Sequence, residues 1–165
     1  MDTKKAKKAK TSEKTKKVYK AITIVKWMTD EAKKHRASIS IQKISQIMYY
    51  AEGIFLASQG KSLFLENIVA GPDGPIVDFY NITGDKRRPE SDFYNASEKI
   101  DKKDEENLKK IYMLFMKHSE DVLKKQILSE KPWLDASDNG KRYGRLIDRN
   151  VMKDFFAENI FRRKK

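Results

Sequence analysis

The chain contains no cysteine, which excludes a disulfide frame, a thiolate metal site and a cysteine nucleophile. That absence fits a reducing compartment, and the cytoplasm is the expected location. Histidine is nearly as scarce: His35 and His118 stand 83 positions apart, so a zinc-type cluster would need an unusual all-carboxylate set. No metal and no cofactor is expected. No apolar run approaches the roughly 20 residues that cross a bilayer. The opening MDTKKAKKAKTSEKTKK has no apolar stretch behind its charged front until Val18, so neither secretion nor membrane association is expected.

Catalytic patterns are missing as well. The GPDGP stretch at 71–75 lacks the spacing that presents successive backbone N–H groups to a phosphate, and reads as a tight structural turn. Asp135, Asp138, Asp148 and Asp154 are scattered through turns and caps, where aspartate is favoured for bonding its own backbone. His118 falls on the apolar side of its helix and reads as a hydrogen-bonded core histidine rather than a general base, which would need a nucleophile and an orienting partner. His35, in a charged helix end, reads as solvated. No catalytic residue is assigned, and the chain is expected not to be an enzyme.

What the sequence has in excess is lysine. Its 165 residues carry a formal charge of +12, a statement about solubility and anionic partners rather than about fold. Residues 1–20 hold nine lysines against Asp2 and Glu13, a net +7, which leaves +5 for everything after. Residues 1–17 cannot bury enough apolar surface to offset the ordering of their backbone and read as a flexible lysine-rich arm, or as a solvated extension of the next helix. Residues 18–165 are of the size of one domain.

Apolar periodicity defines four helices. Val18, Ala21, Ile22, Ile24, Val25, Met28 and Ala32 share one arc over Val18–Lys34, with Tyr19 and Trp27 outside it. Ser40 is a plausible N-cap and Gly60 a plausible terminator for a second helix that is apolar nearly all round, as helices in the middle of a domain are. The runs SLFLENIVA and PIVDFY on either side of GPDGP predict a small β-hairpin or two extended segments. A polar loop over 82–103 leads to a third helix over Asp104–Gln126, with Leu108, Ile111, Leu114, Phe115, His118 and Val122 on one side. EKPWLDASDNGKRYG is a loop or short helix with an Asn139-Gly140 turn. Asp148 caps a last helix, with Ile147 placed to staple onto Met152. The expected fold is therefore mainly α: a single compact helical domain with a small β-hairpin or short extended pair, preceded by a lysine-rich arm.

The order of these pieces is more telling than any one of them. An amphipathic helix, then SIQKISQIMYYAEGIFLASQGKSLFLENIVAGPDGPIVDFY, then LSEKPWLDA, then a terminal helix with MKDFF, resembles the Panacea domain, the SocA-like antitoxin family of bacterial and phage toxin–antitoxin modules. The family's tyrosine-pair helix falls on Ile41–Ala51, its aliphatic-aromatic turn on Gly60–Phe64, its acidic-aliphatic strand on Glu66–Ala70, and its Gly-Pro turn on Gly74–Tyr80. Pro132 and Trp133 match its later tryptophan region. The resemblance spans Ile22–Phe156. This chain departs from it at Gly71 and Asp73, where the family usually has aromatics, and at Asp78, where it often has proline.

The resemblance implies an antitoxin that neutralises a cognate toxin protein by direct binding, with delivery of the toxin to a protease as a further option. The expected partner surface is the Gly71–Tyr80 loop together with the exposed side of the Tyr49/Tyr50 helix. Its candidate contacts are Tyr49, Tyr50, Asp73, Gly74, Pro75, Phe79, Tyr80 and Trp133, although burial is the simpler reading of Trp27 and Trp133. The alternative is a nucleic-acid-binding accessory protein of a phage or mobile element. It would neutralise phosphates with Lys4, Lys5, Lys7, Lys8, Lys10, Lys14, Lys16 and Lys17. A solvated tail explains the same lysines, since the chain prefers Lys (28) to Arg (8) and arginine is the better bidentate phosphate ligand.

Overall fold

The structure, a computed structural model, describes residues 16–77 and 98–162. Six helices and one two-stranded sheet occur among them: α1 (Ala21–Lys34), α2 (Ile41–Gln59), β1 (Ile68–Gly71), β2 (Gly74–Val77), α3 (Lys102–Met116), α4 (Glu120–Ile127), α5 (Lys131–Ala136) and α6 (Arg149–Arg162). The fold is mainly helical with an antiparallel hairpin, in one body around one apolar cluster.

Helix α2 is the axis. Ser40 caps it by accepting from Lys43 N at 3.0 Å, and Gly60 ends it in the left-handed region at φ 65°. Of its 19 residues 13 are buried, because α6, β2, α3, α4 and α1 all pack on it. This confirms the expected central helix. It also decides the role of the tyrosine pair: Tyr49 and Tyr50 are 0% and 2% exposed, so both are core.

Helix α1 presents the expected arc, with Ile22, Ile24, Val25, Met28 and Ala32 buried, but it starts three residues later than periodicity suggested. Tyr19 is not helical. It lies in an extended strand-like segment, where its N–H donates to Leu63 O and its C=O accepts from Leu65 N, both at 2.9 Å. Its hydroxyl donates to Asp104 at 2.8 Å and accepts from Asp101 N at 3.0 Å. A period of 3.6 had left this ring outside the apolar arc; extended backbone turns it inward and buries it completely.

The third helix is two helices. The chain turns at Lys117–Ser119, and Ser119 caps α4 by accepting from Val122 N at 3.2 Å. Only part of the expected face is inward: Leu108 and Ile111 are buried, whereas Leu114, still within α3, and Val122, beyond the break, are half exposed and His118, in the turn, is exposed. His118 is therefore not a core histidine. Its carbonyl accepts from Lys43 Nζ, and burial lowers the pKa of that ammonium against the opposing pull of Glu120.

The hairpin pairs Ile68 with Val77 and Gly71 with Gly74 around Pro72-Asp73, as the GPDGP punctuation predicts. The last loop forms α5, then three successive left-handed residues, Asp138, Asn139 and Gly140, types that tolerate that region. Asp148 caps α6 from Oδ1, accepting from Asn150 N at 2.7 Å and Val151 N at 3.3 Å. Ile147 and Met152 are both buried.

The tyrosine pair supports a contrast in stability. Tyr50 donates to Glu130 Oε1 at 2.7 Å, while the buried hydroxyl of Tyr49 has no hydrogen-bond partner among the described residues and its pKa is pushed well up by burial, with Glu130 adding to the shift. Tyr50→Phe should lower unfolding free energy by about 1.5–3 kcal/mol, the usual worth of a hydrogen bond to a charged group. Tyr49→Phe should raise it by about 1 kcal/mol, because a hydroxyl desolvated for nothing is removed. Urea unfolding of the two variants checks the opposite signs; a loss at Tyr49→Phe matching that at Tyr50→Phe would refute the difference.

Candidate protein-interaction surface

The partner contacts expected from sequence separate into three groups. Tyr49, Tyr50 and Trp133 are buried, Trp133 donating its indole N–H to Gly71 O at 3.0 Å, so they shape a surface from beneath rather than forming it. Gly74 and Pro75 are also buried, leaving Pro72 and Asp73 exposed at the hairpin tip. Asp73 accepts from Lys124 Nζ at 2.8 Å and raises the pKa of that ammonium, a solvent-exposed pair of small energetic worth. Phe79 and Tyr80 lie outside the described residues, as do Lys4, Lys5, Lys7, Lys8, Lys10 and Lys14. Of the remaining arm lysines, Lys16 donates to Gln59 O at 2.7 Å and Lys17 to Lys99 O at 2.8 Å. Both are tied to the body.

The hairpin carries a surface that sequence reasoning missed. Residues 144–147 run antiparallel along the other side of β1, making a third, strand-like row: Gly144 N donates to Ala70 O, Ala70 N to Arg145 O, and Ile147 N to Ile68 O, at 2.8–2.9 Å. Side chains alternate across this small sheet. Ile68, Ala70, Val77 and Ile147 point into the core and are buried. Val69 stands opposite Ile76 on one side and Leu146 on the other, so these three form an outward apolar row. Ile76 is 46% and Leu146 58% exposed.

Two further properties distinguish the row. The bonds made by Ile147 N and Arg145 O flank Leu146, so the N–H and C=O of Leu146 itself point away from β1, toward the open edge. Next to that edge, residues 141–146 are all exposed. Tyr143 precedes Gly144, whose φ of 88° makes the turn into the row. Arg142 and Arg145 make no side-chain hydrogen bond or ion pair among the described residues. Tyr and Arg beside a small apolar centre are the residue types that dominate binding energy at protein interfaces. In sequence KRYG closes a stretch read as a loop or short helix, and only the pairing of residues 144–147 with β1 makes an edge there.

An internal knot holds this sheet on α2. Glu52 is fully buried, yet its Oε2 accepts from Leu63 N at 2.9 Å and Phe64 N at 3.3 Å, and its Oε1 from Arg149 Nε at 3.1 Å. The Arg149 guanidinium also donates to Glu66 O at 2.7 Å and Phe64 O at 3.3 Å. The carboxylate thus fixes the turn that leads into β1, and the first residue of α6 closes the knot. The signal available in sequence was a lone glutamate inside the apolar run YYAEGIF.

Among the described residues no cluster of His, Asp or Glu is gathered where it could hold a metal ion, and no helix is long and apolar enough to cross a membrane. No protein-family model, curated protein or solved structure matches the chain.

Proposed function

We propose that this protein acts by binding another protein, as an antitoxin that neutralises a cognate toxin through direct contact at the outer face and open edge of the hairpin sheet. The observation that carries the reading is the outward apolar row Ile76–Val69–Leu146, continuous in the chain with the exposed 141–146 segment that holds Arg142, Tyr143 and Arg145. Elsewhere on that sheet apolar side chains are turned inward; a row turned outward on a rigid support is what a partner buries. The order of motifs that resembles the Panacea domain supplies the kind of partner.

The test is co-expression with the product of the neighbouring open reading frame. The expected result is growth arrest by the neighbour alone, rescue by this protein, and loss of rescue with Tyr143→Ala/Leu146→Asp. Both positions are more than half exposed, so the variant should retain the melting temperature of the parent. A harmless neighbour, or a toxic one that this protein fails to rescue, defeats the antitoxin reading. Full rescue by the double variant would remove the sheet surface from it.

A further inference from the structure

The outward side of α3 departs from an ordinary solvated helix face. Met113 and Leu114 are adjacent large apolar residues, 42% and 53% exposed, and with Glu106, Lys109, Lys110 and Lys117 they line a shallow groove of about 600 Å³. Lys103, Lys110 and Lys117 recur at intervals of seven, so they form one stripe along about four turns. Lys109 reaches Glu31 at 3.8 Å, while Lys110 and Lys117 have no carboxylate partner among the described residues. Single exposed apolar residues are unremarkable, but an apolar pair set along a stripe of three lysines with only Glu106 among them has the layout of a helix-pairing face: apolar contacts for affinity, flanking charge for choice of partner.

Charge selects the occupant. The chain's own first 20 residues carry a net +7, the same sign as this stripe and so a poor electrostatic match for it. A second copy docking through the same face would set lysine against lysine. Nucleic acid fits the lysines but not the pair between them, since the groove offers no aromatic ring for a base to stack on and would press Met113 and Leu114 against a phosphate backbone. We propose that the outer face of α3 is a second docking site, separate from the hairpin sheet, for an acidic amphipathic helix of a partner protein, with Met113 and Leu114 meeting its apolar seam and Lys110 and Lys117 pairing with its flanking carboxylates.

The probe is an end-blocked, fluorescein-labelled peptide of three heptads with leucine at the seam and glutamate at the flanks, titrated with the full chain at low salt and followed by anisotropy. Saturable binding is expected, weakened at least tenfold by Lys110→Glu/Lys117→Glu and at least tenfold by Met113→Ser/Leu114→Ser. Exchanging the peptide's glutamates for lysines should restore binding to the charge-reversed variant. All four substituted side chains are exposed, and unchanged melting temperatures would establish that the variants fold. Absence of binding overturns the proposal, as does unaltered binding by either double variant. Binding of a 20-nucleotide oligo-dT that matches the peptide in affinity and depends on the lysines but not on Met113 and Leu114 would assign the stripe to nucleic acid instead. Because these residues lie outside the hairpin sheet, failure here leaves toxin rescue and its Tyr143/Leu146 dependence untouched.

Discussion

Glu52→Ala should remove about 3–5 kcal/mol of folding stability, the cost typical of breaking a buried ion pair by deleting one partner. Urea unfolding followed by circular dichroism would read it as a lower midpoint with little change in slope. The loss is large because three donors depend on one carboxylate: the N–H groups of Leu63 and Phe64 and the Arg149 guanidinium. The N–H groups are buried, and a buried donor without an acceptor bears its full desolvation penalty. Arg149→Ala should cost less than Glu52→Ala, since the Arg149 side chain is 31% exposed against 0% for Glu52 and carboxylate bonds to the turn remain. The double variant should be less damaged than the sum of the two, close to Glu52→Ala alone, because removing Arg149 no longer breaks a pair while the Leu63 and Phe64 N–H groups stay without their acceptor. Additive losses would show that the pair is not coupled.

The second large effect is expected at Phe156, with an unusual partner. Its ring lies edge-on to Tyr49, Tyr50 and Phe155, with centroids 5.6, 5.9 and 5.3 Å away, while Tyr50 is also stacked on Phe115 at 4.2 Å. It is also seated directly over Gly53, where an added Cβ would overlap the ring. Phe156→Ala should cost about 3–5 kcal/mol by leaving a cavity between α2 and α6. Gly53→Ala in the parent should be destabilising, since the overlap outweighs the roughly 1 kcal/mol that alanine gains over glycine within a helix. In the Phe156→Ala background the same change should become stabilising by about 1 kcal/mol, because the obstacle is gone and the propensity gain remains. Thermal or urea unfolding of the four proteins checks this reversal of sign. If Gly53→Ala has the same sign in both backgrounds, the close approach does not explain the glycine.

These two sites show where reading the sequence stops. Glycine 53 reads as a mild defect in a good helix, yet it is the gap that lets α6 lie close against α2. Glutamate 52 reads as an oddity in an apolar run, yet it is a hub for residues 11, 12 and 97 positions away. Neither partner set can be inferred from local pattern, because both arise from which elements pack together. The displaced start of α1 has the same origin: Tyr19 gains two backbone bonds to the 63–65 segment and a hydroxyl network at Asp101 and Asp104, which one more helical turn could not supply.

The candidate surface was only partly legible for the same reason. The hairpin could be foreseen from its glycines and prolines, whereas the aromatic pair pointed to α2, which is largely buried and is not part of that surface. The pair's ring positions were ambiguous, since a helix apolar on all sides gives no phase from which to tell an inner face from an outer one. Contact with five other elements resolves that ambiguity by burying both tyrosines. Conversely, Arg142, Tyr143 and Leu146 carry no local sign of importance until residues 144–147 are laid along β1.

Composition, caps and periodicity were enough by themselves to specify a mainly helical protein of one domain, its central helix, the hairpin at GPDGP and the capped helix at its end, because each of these depends on residues within a turn or two of one another. Tertiary structure alone decided that Tyr49, Tyr50 and Trp133 are interior, that His118 is exposed, and that an apolar row and a lysine stripe face outward. Those outcomes depend on contacts between segments tens of residues apart, where the energy of packing and of satisfied buried hydrogen bonds overrides any local preference.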